Sequence, residues 1–361
     1  MCEITLRDFP TLSKNKLKIA ISKRINKMNT KNYRIALVGC GVISANHISA
    51  ILECEGVDIV ALCDVKIERA EEKKADFNLD CKTYADYDEM LANESLDAVH
   101  ISTPHYLHAE MAIKALDLGI NVFLEKPMCI NREQIDALLA AEKRSTAKIC
   151  VCFQNRFNEA TVKAKEIADE DGGVLSAYGS VFWERKASYY TDSEWRGRYA
   201  TEGGGVMINQ AIHTIDMLCY YLGKPETLVA TTANHHLKDV IEVEDTCEGM
   251  INFADGKYGN FYATTSFHFQ DSTAVFLRTK NHKMEIRQGC LYVDTEKYEL
   301  KEKKRAVIGK VCYGSGHFAL IKKFYDALRT GERMPVTLED AQWSVRILLA
   351  AYRSGDTEVE I

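Results

Sequence analysis

The stretch YRIALVGCGVIS, residues 33–44, decides the fold of this chain. Its first six residues are a short apolar run that predicts a β-strand, and residues 42–53 predict a helix. The turn between them has the spacing of a dinucleotide-binding fingerprint, G-x-G-x-x-S. Gly39 permits the tight turn, Gly41 lets a pyrophosphate approach the backbone at the positive end of the helix, and Ser44 is small enough for close helix–strand packing.

An acidic residue completes this fingerprint. Asp64 follows the next predicted strand, over 57–63, and lies 20 residues after Ser44. Its carboxylate can accept hydrogen bonds from the adenine ribose hydroxyls of NAD, and it would repel the 2′-phosphate of NADP. We therefore predict NAD as the cofactor, with NADP less favoured. Val42 and Ile43 complete the predicted cofactor contacts of the turn.

The pattern outside this unit predicts an α/β chain with two domains. Short apolar strands alternate with amphipathic helices up to residue 153, which is typical of a parallel sheet with crossover helices. Six predicted strands amount to one doubly wound Rossmann domain at 32–154. Strands dense in β-branched and aromatic residues follow, with one helix predicted over 206–222. These predict a second, α+β domain at 155–361 with a large, open, mostly antiparallel sheet.

Composition and charge limit the possible partners. The 361 residues are 46% hydrophobic and carry a net charge of −6. A basic, flexible extension is predicted at 1–31; its first 30 residues sum to +5, so the rest sums to −11 and no nucleic-acid partner is expected. No apolar run approaches the ~20 residues of a membrane span, and no secretory h-region is present. We expect a cytoplasmic protein, with an organellar presequence as the alternative for the extension.

The 12 cysteines are scattered, and no two of them form a C-x-x-C pair. Reduced, buried thiols are therefore expected, without disulfides or a zinc site. His105 and His108 have no third ligand nearby in the sequence, so we predict no metal.

A second group of polar residues ends two neighbouring strands of the predicted parallel sheet. Ligands bind at the carboxyl edge of such sheets, so these residues are expected to line the cofactor site. Lys126 would stand beside the nicotinamide and the reacting hydroxyl, and Pro127 could fix a cis peptide that aims it. The predicted cofactor contacts here are Ser102, Thr103, Pro104, His108, Glu125 and Lys126.

The substrate side is predicted from the helix over 206–222. Asn209, His213 and Asp216 follow one another at i, i+4 and i+7, which places them in one stripe. A polar stripe on a mostly apolar helix is costly unless it faces a cleft or is fully paired. Asn155 and Arg156, just past the sixth strand, would reach the same cleft.

An aromatic and basic segment precedes this helix. Trp195 and Arg196 follow Arg185 and Tyr189, and aromatic rings stack on sugars or nucleobases while guanidinium groups pair with carboxylates or phosphates. The alternative is a packed loop or a subunit contact. We place Trp195 and Arg196 among the candidate substrate contacts.

The fingerprint, S-T-P…H…A-L-x-x-G…E-K-P and the later G-G-G…H-x-x-D resemble the glucose–fructose oxidoreductase / inositol dehydrogenase / MocA family, over about residues 32–353. The resemblance implies catalytic roles for Lys126 and His213, and a sheet buried in a homodimer or homotetramer. The segment before the helix resembles the branch acting on UDP-sugars and their uronates. Many members carry an Asp where this chain has Asn209, so we expect that amide, donor and acceptor together, only to position the substrate.

These observations predict an NAD(P)-dependent oxidoreductase. It would move hydride between nicotinamide C4 and a hydroxyl-bearing carbon of a sugar, a sugar nucleotide or a cyclic polyol. Two alternatives remain: a redox-neutral enzyme that retains NAD and cleaves glycosides, and a cofactor-binding regulator without catalysis.

Overall fold

The computed structural model describes residues 32–268, 273–301 and 315–361. The predicted basic extension therefore lies outside the described residues. In chain order, the first sheet and its helices are β1 (Tyr33–Val38), α1 (Ser44–Leu52), β2 (Val57–Cys63), α2 (Ile67–Asp76), β3 (Lys82–Tyr84), α3 (Tyr87–Asn93), β4 (Ala98–Ile101), α4 (His108–Asp117), β5 (Asn121–Leu124), α5 (Arg132–Arg144) and β6 (Ile149–Val151).

The first sheet is parallel throughout and has the order β3-β2-β1-β4-β5-β6. Its central strand, β1, is buried except at Arg34, because helices cover both faces of the sheet. This is the predicted doubly wound Rossmann sheet. The carboxyl ends of β1 and β4 meet beside the turn at 39–44, and β5 ends next to them.

Within the described residues, the second sheet has nine strands. Its elements are α6 (Glu159–Glu170), β7 (Ser176–Phe182), α7 (Ser188–Thr191), α8 (Val206–Asn209), α9 (Ile212–Leu222), β8 (Pro225–Ala233), β9 (Thr246–Phe253), β10 (Tyr258–Thr264), β11 (Ala274–Arg278), β12 (Lys283–Arg287), β13 (Cys290–Val293), β14 (Glu296–Lys297), α10 (Gly316–Thr330), α11 (Leu338–Ser354) and β15 (Val359–Glu360). The order is β14-β13-β12-β11-β7-β10-β9-β8-β15, and among these described strands only β7 and β10 pair in parallel. The predicted mostly antiparallel sheet is confirmed.

The last two helices, α10 and α11, pack against elements of the first and the second sheet. Helix α10 packs against α1 of the Rossmann sheet, and α11 packs against both β8 and α5. A single buried apolar cluster runs through both halves as a result. The division at residue 154 stays a prediction, although the change from parallel to mixed pairing falls between β6 and β7.

The prediction of one helix over 206–222 is wrong, because two helices occupy that segment. Helix α8 ends at Asn209, and α9 begins at Ile212. At the break the N–H of Ala211 donates to the carbonyl of Val206, five residues back, so the regular i to i−4 ladder is interrupted.

The ten cysteines within the described residues are all free thiols, and nine of them are buried. Among the helices that the structure describes, none combines the length and apolar character required to cross a bilayer.

Candidate active site

The turn after β1 is shaped for a phosphate group. Gly39 has a positive φ of 86°, and a Cβ there would lie 2.5 Å from the carbonyl oxygen of Ser102. A Cβ on Gly41 would meet nothing within 4 Å, so this side of the turn is open. The Ser44 hydroxyl donates to the carbonyl of Gly41 at 2.6 Å and fixes the turn on α1. The open side lies at the helix N-terminus, so it fits a pyrophosphate.

Asp64 is held under the same turn. Its Oδ2 accepts the N–H of Cys40 at 2.9 Å, and its Oδ1 accepts the N–H of Lys66 at 2.9 Å. Each oxygen keeps a further lone pair, which suits a ribose hydroxyl. The side chains of Val42 and Val65 are exposed on either side, although both are apolar. These residues fit the adenosine half of a dinucleotide.

The loop after β4 closes against the fingerprint turn. The Ser102 hydroxyl donates to the carbonyl of Gly39 at 2.8 Å, and Thr103 and Pro104 continue the loop. His108 is buried, and its ring nitrogens lie 2.9 Å from the Thr103 carbonyl and 2.6 Å from the Pro127 carbonyl. His108 therefore connects the loop after β4 to the loop after β5, and both of its ring nitrogens are engaged with backbone carbonyls.

Glu125 is the centre of a buried polar cluster. His47 Nε2 lies 2.9 Å from its Oε1, His317 Nε2 lies 3.7 Å from the same oxygen, and the N–H of Lys126 donates to its Oε2 at 3.1 Å. Burial alone would raise the pKa of Glu125, but the imidazoles of His317 and His47 hold that pKa well below its usual range. The carboxylate therefore stays charged and anchors the backbone just before Lys126.

The donor atoms of His47, Glu125, Cys152 and His317 lie within 4.8 Å of one another. Sequence spacing could not reveal this group, because its members come from four different elements. The hydrogen bonds to Glu125 explain the arrangement without an ion, and our prediction of no metal stays a prediction.

Lys126 crosses from the first sheet to the second part of the chain. The peptide bond to Pro127 is cis, as expected. The Nζ of Lys126 donates to the backbone carbonyl of Asn209 at 3.1 Å, so the end of β5 meets the end of α8. Two residues far apart in the sequence thus share one cleft.

His213 lies in the first turn of α9, close to Lys126. Its ring is buried against Phe153, with a centroid separation of 6.0 Å, and its Nε2 lies 3.5 Å from Nε2 of Gln154. Burial, followed by the positive charge of Lys126, holds the pKa of His213 well below its usual value. The imidazole is neutral at neutral pH and can accept a proton.

Arg156 and Asp216 do not line the cleft, contrary to the prediction that both contact the substrate. They bind each other through two hydrogen bonds, of 2.8 Å from Nε and 2.6 Å from Nη2. Their side chains are only 8% and 1% exposed. The polar stripe is thus satisfied at this end by pairing, the second of the two possibilities that it allowed. Asn155 is half-buried in the same turn, where its Oδ1 lies 3.4 Å from Nδ2 of Asn158.

The segment before α8 forms a stack of rings and guanidinium groups. Arg185 and Arg196 lie over the Tyr189 ring, at 5.1 and 4.3 Å from its centroid. The Trp195 ring packs on His105 at 4.6 Å, which attaches the segment to the loop after β4. The Tyr189 hydroxyl accepts from Nδ2 of Asn209 at 3.2 Å, so the two positive charges of the stack lie near Asn209.

Glu202 is the site residue that sequence reasoning missed. It is 1% exposed, its Oε2 accepts the N–H of Gly197 at 2.5 Å, and its Oε1 accepts from Nδ2 of Asn209 at 2.5 Å. Burial raises its pKa to about 7. A glutamate before three glycines looks like a solvated turn residue in the sequence, and only the loop closure buries it.

Comparison with known proteins agrees with this arrangement. Residues 33–153 match the description "Oxidoreductase family, NAD-binding Rossmann fold" of GFO_IDH_MocA, and residues 161–283 match its C-terminal domain. The crystal structure of the WlbA dehydrogenase from Bordetella pertussis, in complex with NADH and UDP-GlcNAcA, is 26% identical and superimposes with a TM-score of 0.78, covering 92% of this chain and 99% of that one. The chain belongs to the GFO/IDH/MocA oxidoreductase family.

Two relatives match by sequence over shorter stretches. Oxidoreductase P35 of Formosa agariphila is 31% identical over 200 residues, which are 53% of this chain and 61% of that protein. Levoglucosan dehydrogenase of Pseudarthrobacter phenanthrenivorans is 27% identical over 238 residues, which are 60% of this chain and 61% of that protein. The chain thus spans about three fifths of the length of each relative.

Proposed function

We propose that this protein is an NAD-dependent dehydrogenase that oxidises a hydroxyl-bearing carbon of a sugar, a sugar nucleotide or a cyclic polyol, or reduces the corresponding ketone. The observation that supports this proposal most directly is the position of Lys126, at the end of β5. Its Nζ donates to the backbone carbonyl of Asn209, and its charge lowers the pKa of His213. Lys126 follows β5, which pairs with β4, and the Ser102 carbonyl after β4 lies against the turn at Gly39.

The residues divide the reaction between them. NAD, when bound, supplies the hydride acceptor at nicotinamide C4. The ammonium group of Lys126 polarises the substrate hydroxyl and stabilises the negative charge that develops on its oxygen. Neutral His213 takes the hydroxyl proton, so that the C–O single bond becomes a carbonyl as hydride leaves the carbon. Glu125 and its buried histidines keep the backbone of Lys126 in place.

The stack around Tyr189 supports a substrate with a ring and an anionic group. Sugar and base rings pack on aromatic faces, and the guanidinium groups of Arg185 and Arg196 attract a carboxylate or a phosphate. The WlbA complex with UDP-GlcNAcA supports the same class of compound.

We further propose that the nine-stranded sheet forms the contact in a homodimer or homotetramer. Exposed apolar residues on the sheet support this, among them Tyr178, Met250 and Phe276. The free, mostly buried thiols support a reducing, cytoplasmic location.

Turnover with a defined panel tests the proposed function. NADH formation is followed with levoglucosan, D-apiose, myo-inositol and UDP-GlcNAcA, and NAD and NADP binding are measured by calorimetry. We expect tight NAD binding and turnover of at least one compound. Tight NAD that never exchanges with free cofactor, together with cleavage of a glycoside, would favour the redox-neutral alternative. NAD binding without turnover of any related sugar or ketone would favour the regulator.

A further inference from the structure

The side-chain amide of Asn209 has a fixed orientation. Its Nδ2 donates to Glu202 Oε1 at 2.5 Å and to the Tyr189 hydroxyl at 3.2 Å. An amide nitrogen carries two hydrogens, so both are used. The only polar atom of this half-buried side chain left for a substrate is Oδ1.

The backbone N–H of Gly197 fixes the orientation of the Glu202 carboxyl group. The N–H of Gly197 donates to Glu202 Oε2 at 2.5 Å, and a backbone N–H is a donor only. The Tyr189 hydroxyl is similarly engaged, because Nε2 of Gln210 lies 3.4 Å from it. Above its pKa of about 7, Glu202 is a carboxylate that presents only acceptors to Asn209, so the amide must turn its nitrogen inward.

We propose that Glu202 is a positioning residue for the substrate: it turns Asn209 so that Oδ1, not the NH₂ group, accepts a hydrogen bond from a substrate hydroxyl. The inference rests on the proposed function, because it assigns a substrate contact to Asn209. The carbonyl of the same residue receives Lys126 Nζ at 3.1 Å, which places the side chain next to the predicted catalytic lysine. The sequence led us to expect that this amide both donates to and accepts from the substrate. The proposal here is that it only accepts.

The substitution Glu202→Gln should reverse this polarity. The N–H of Gly197 requires an oxygen, so the new amide must turn its nitrogen towards Asn209. Asn209 then offers Oδ1 inward, and its NH₂ group faces the cleft. Adding Asn209→Asp restores an acceptor on the cleft side, because one carboxylate oxygen accepts from the new amide while the other stays available. Asn209→Asp alone places two carboxylates at hydrogen-bond distance.

The first measurement needs no substrate. In protein labelled with ¹⁵N-asparagine, the NH₂ signal of Asn209 is assigned by its disappearance in Asn209→Asp, and exchange of its two protons with water is measured at a pH above the pKa of Glu202. We expect slow exchange of both protons in the wild type and fast exchange in Glu202→Gln. Fast exchange of either proton in the wild type would overturn the inference, and this result requires no turnover by any variant.

The second measurement is kcat/KM with levoglucosan, D-apiose, myo-inositol and UDP-GlcNAcA. Each single substitution should lower kcat/KM roughly tenfold, with NAD affinity unchanged, and the double variant should return to within about threefold of the wild type. Glu242→Gln is the matched control, because Glu242 accepts the N–H of Tyr199 at 2.7 Å in the same way. A double variant as impaired as the worse single one would contradict the inference. No turnover by the wild type would count against the proposed function alone, since the exchange measurement would still decide the orientation.

Discussion

Replacing Asp216 by Asn should destabilise the protein without altering the active site. The Asp216 carboxylate accepts two short hydrogen bonds from Arg156, and both side chains are more than nine-tenths buried. Removing the negative charge leaves a buried guanidinium without its counter-charge, and such losses amount to ~3–5 kcal/mol. We expect a decrease of that size in the free energy of unfolding, measured by urea denaturation and circular dichroism. NAD affinity should be unchanged, because neither residue contacts the fingerprint turn.

A surface pair of the same geometry provides the control. Arg144 binds Asp117 through two hydrogen bonds of 2.7 and 2.8 Å, but the two side chains are 50% and 45% exposed. Water solvates both charges there, so Asp117→Asn should leave stability almost unchanged. Replacing the buried pair by Arg156→Met and Asp216→Leu together should recover most of the lost stability, because no unpaired charge is left.

The opposite pattern would refute this assignment. If Asp216→Asn kept the unfolding free energy of the wild type and instead raised KM, Asp216 would face the substrate. The buried ion pair would then be absent from the working enzyme.

The cofactor turn yields a contrasting pair: Gly39→Ala should cost roughly 1–3 kcal/mol of stability, because its Cβ meets the backbone of Ser102 at a strained φ. Gly41→Ala should keep its melting temperature but weaken NAD binding roughly tenfold, or ~1.4 kcal/mol, since the Cβ enters the space for the pyrophosphate; equal NAD affinity by calorimetry would contradict this. Asp64 should make NAD bind more tightly than NADP, and a tighter NADP titration would show that assignment to be wrong. Asn209→Ala should weaken turnover by about one neutral hydrogen bond, ~1 kcal/mol, and a loss as large as that of Lys126→Met would contradict a positioning role.

Local patterns predicted the sheets well. The observed bounds of β1 and β2 agree with those expected from the sequence, because each strand is a short, mostly apolar run that ends at a turn. Asp86 caps α3 by accepting the N–H of Glu89, which is a local interaction of a residue type typical of helix N-termini. The strand bounds and the helix cap depend on residues close together in the chain, so they can be predicted from the sequence.

The parts that sequence did not predict depend on long-range contacts. At the break between α8 and α9, the N–H of Ala211 donates to the carbonyl five residues back and not four. The segment is apolar on both sides of the break, so its sequence predicts one continuous helix. Asp216 appeared to share a face with Asn209, but the break and the distant Arg156 separate their roles. Glu202 belongs to the site because the loop closes over it and the N–H of Gly197 donates to its carboxylate, and the sequence pattern shows neither feature.

We propose that Lys126 and His213 act together in the transfer of hydride from a sugar carbon to NAD. The most direct measurement uses the panel compounds with deuterium on the carbons that bear hydroxyl groups, followed by mass analysis of the NADH formed. The wild type should place one deuterium on the nicotinamide. Lys126→Met and His213→Ala should form no labelled NADH, although both should still bind NAD when measured by calorimetry. Near-native deuterium transfer by His213→Ala would contradict the claim.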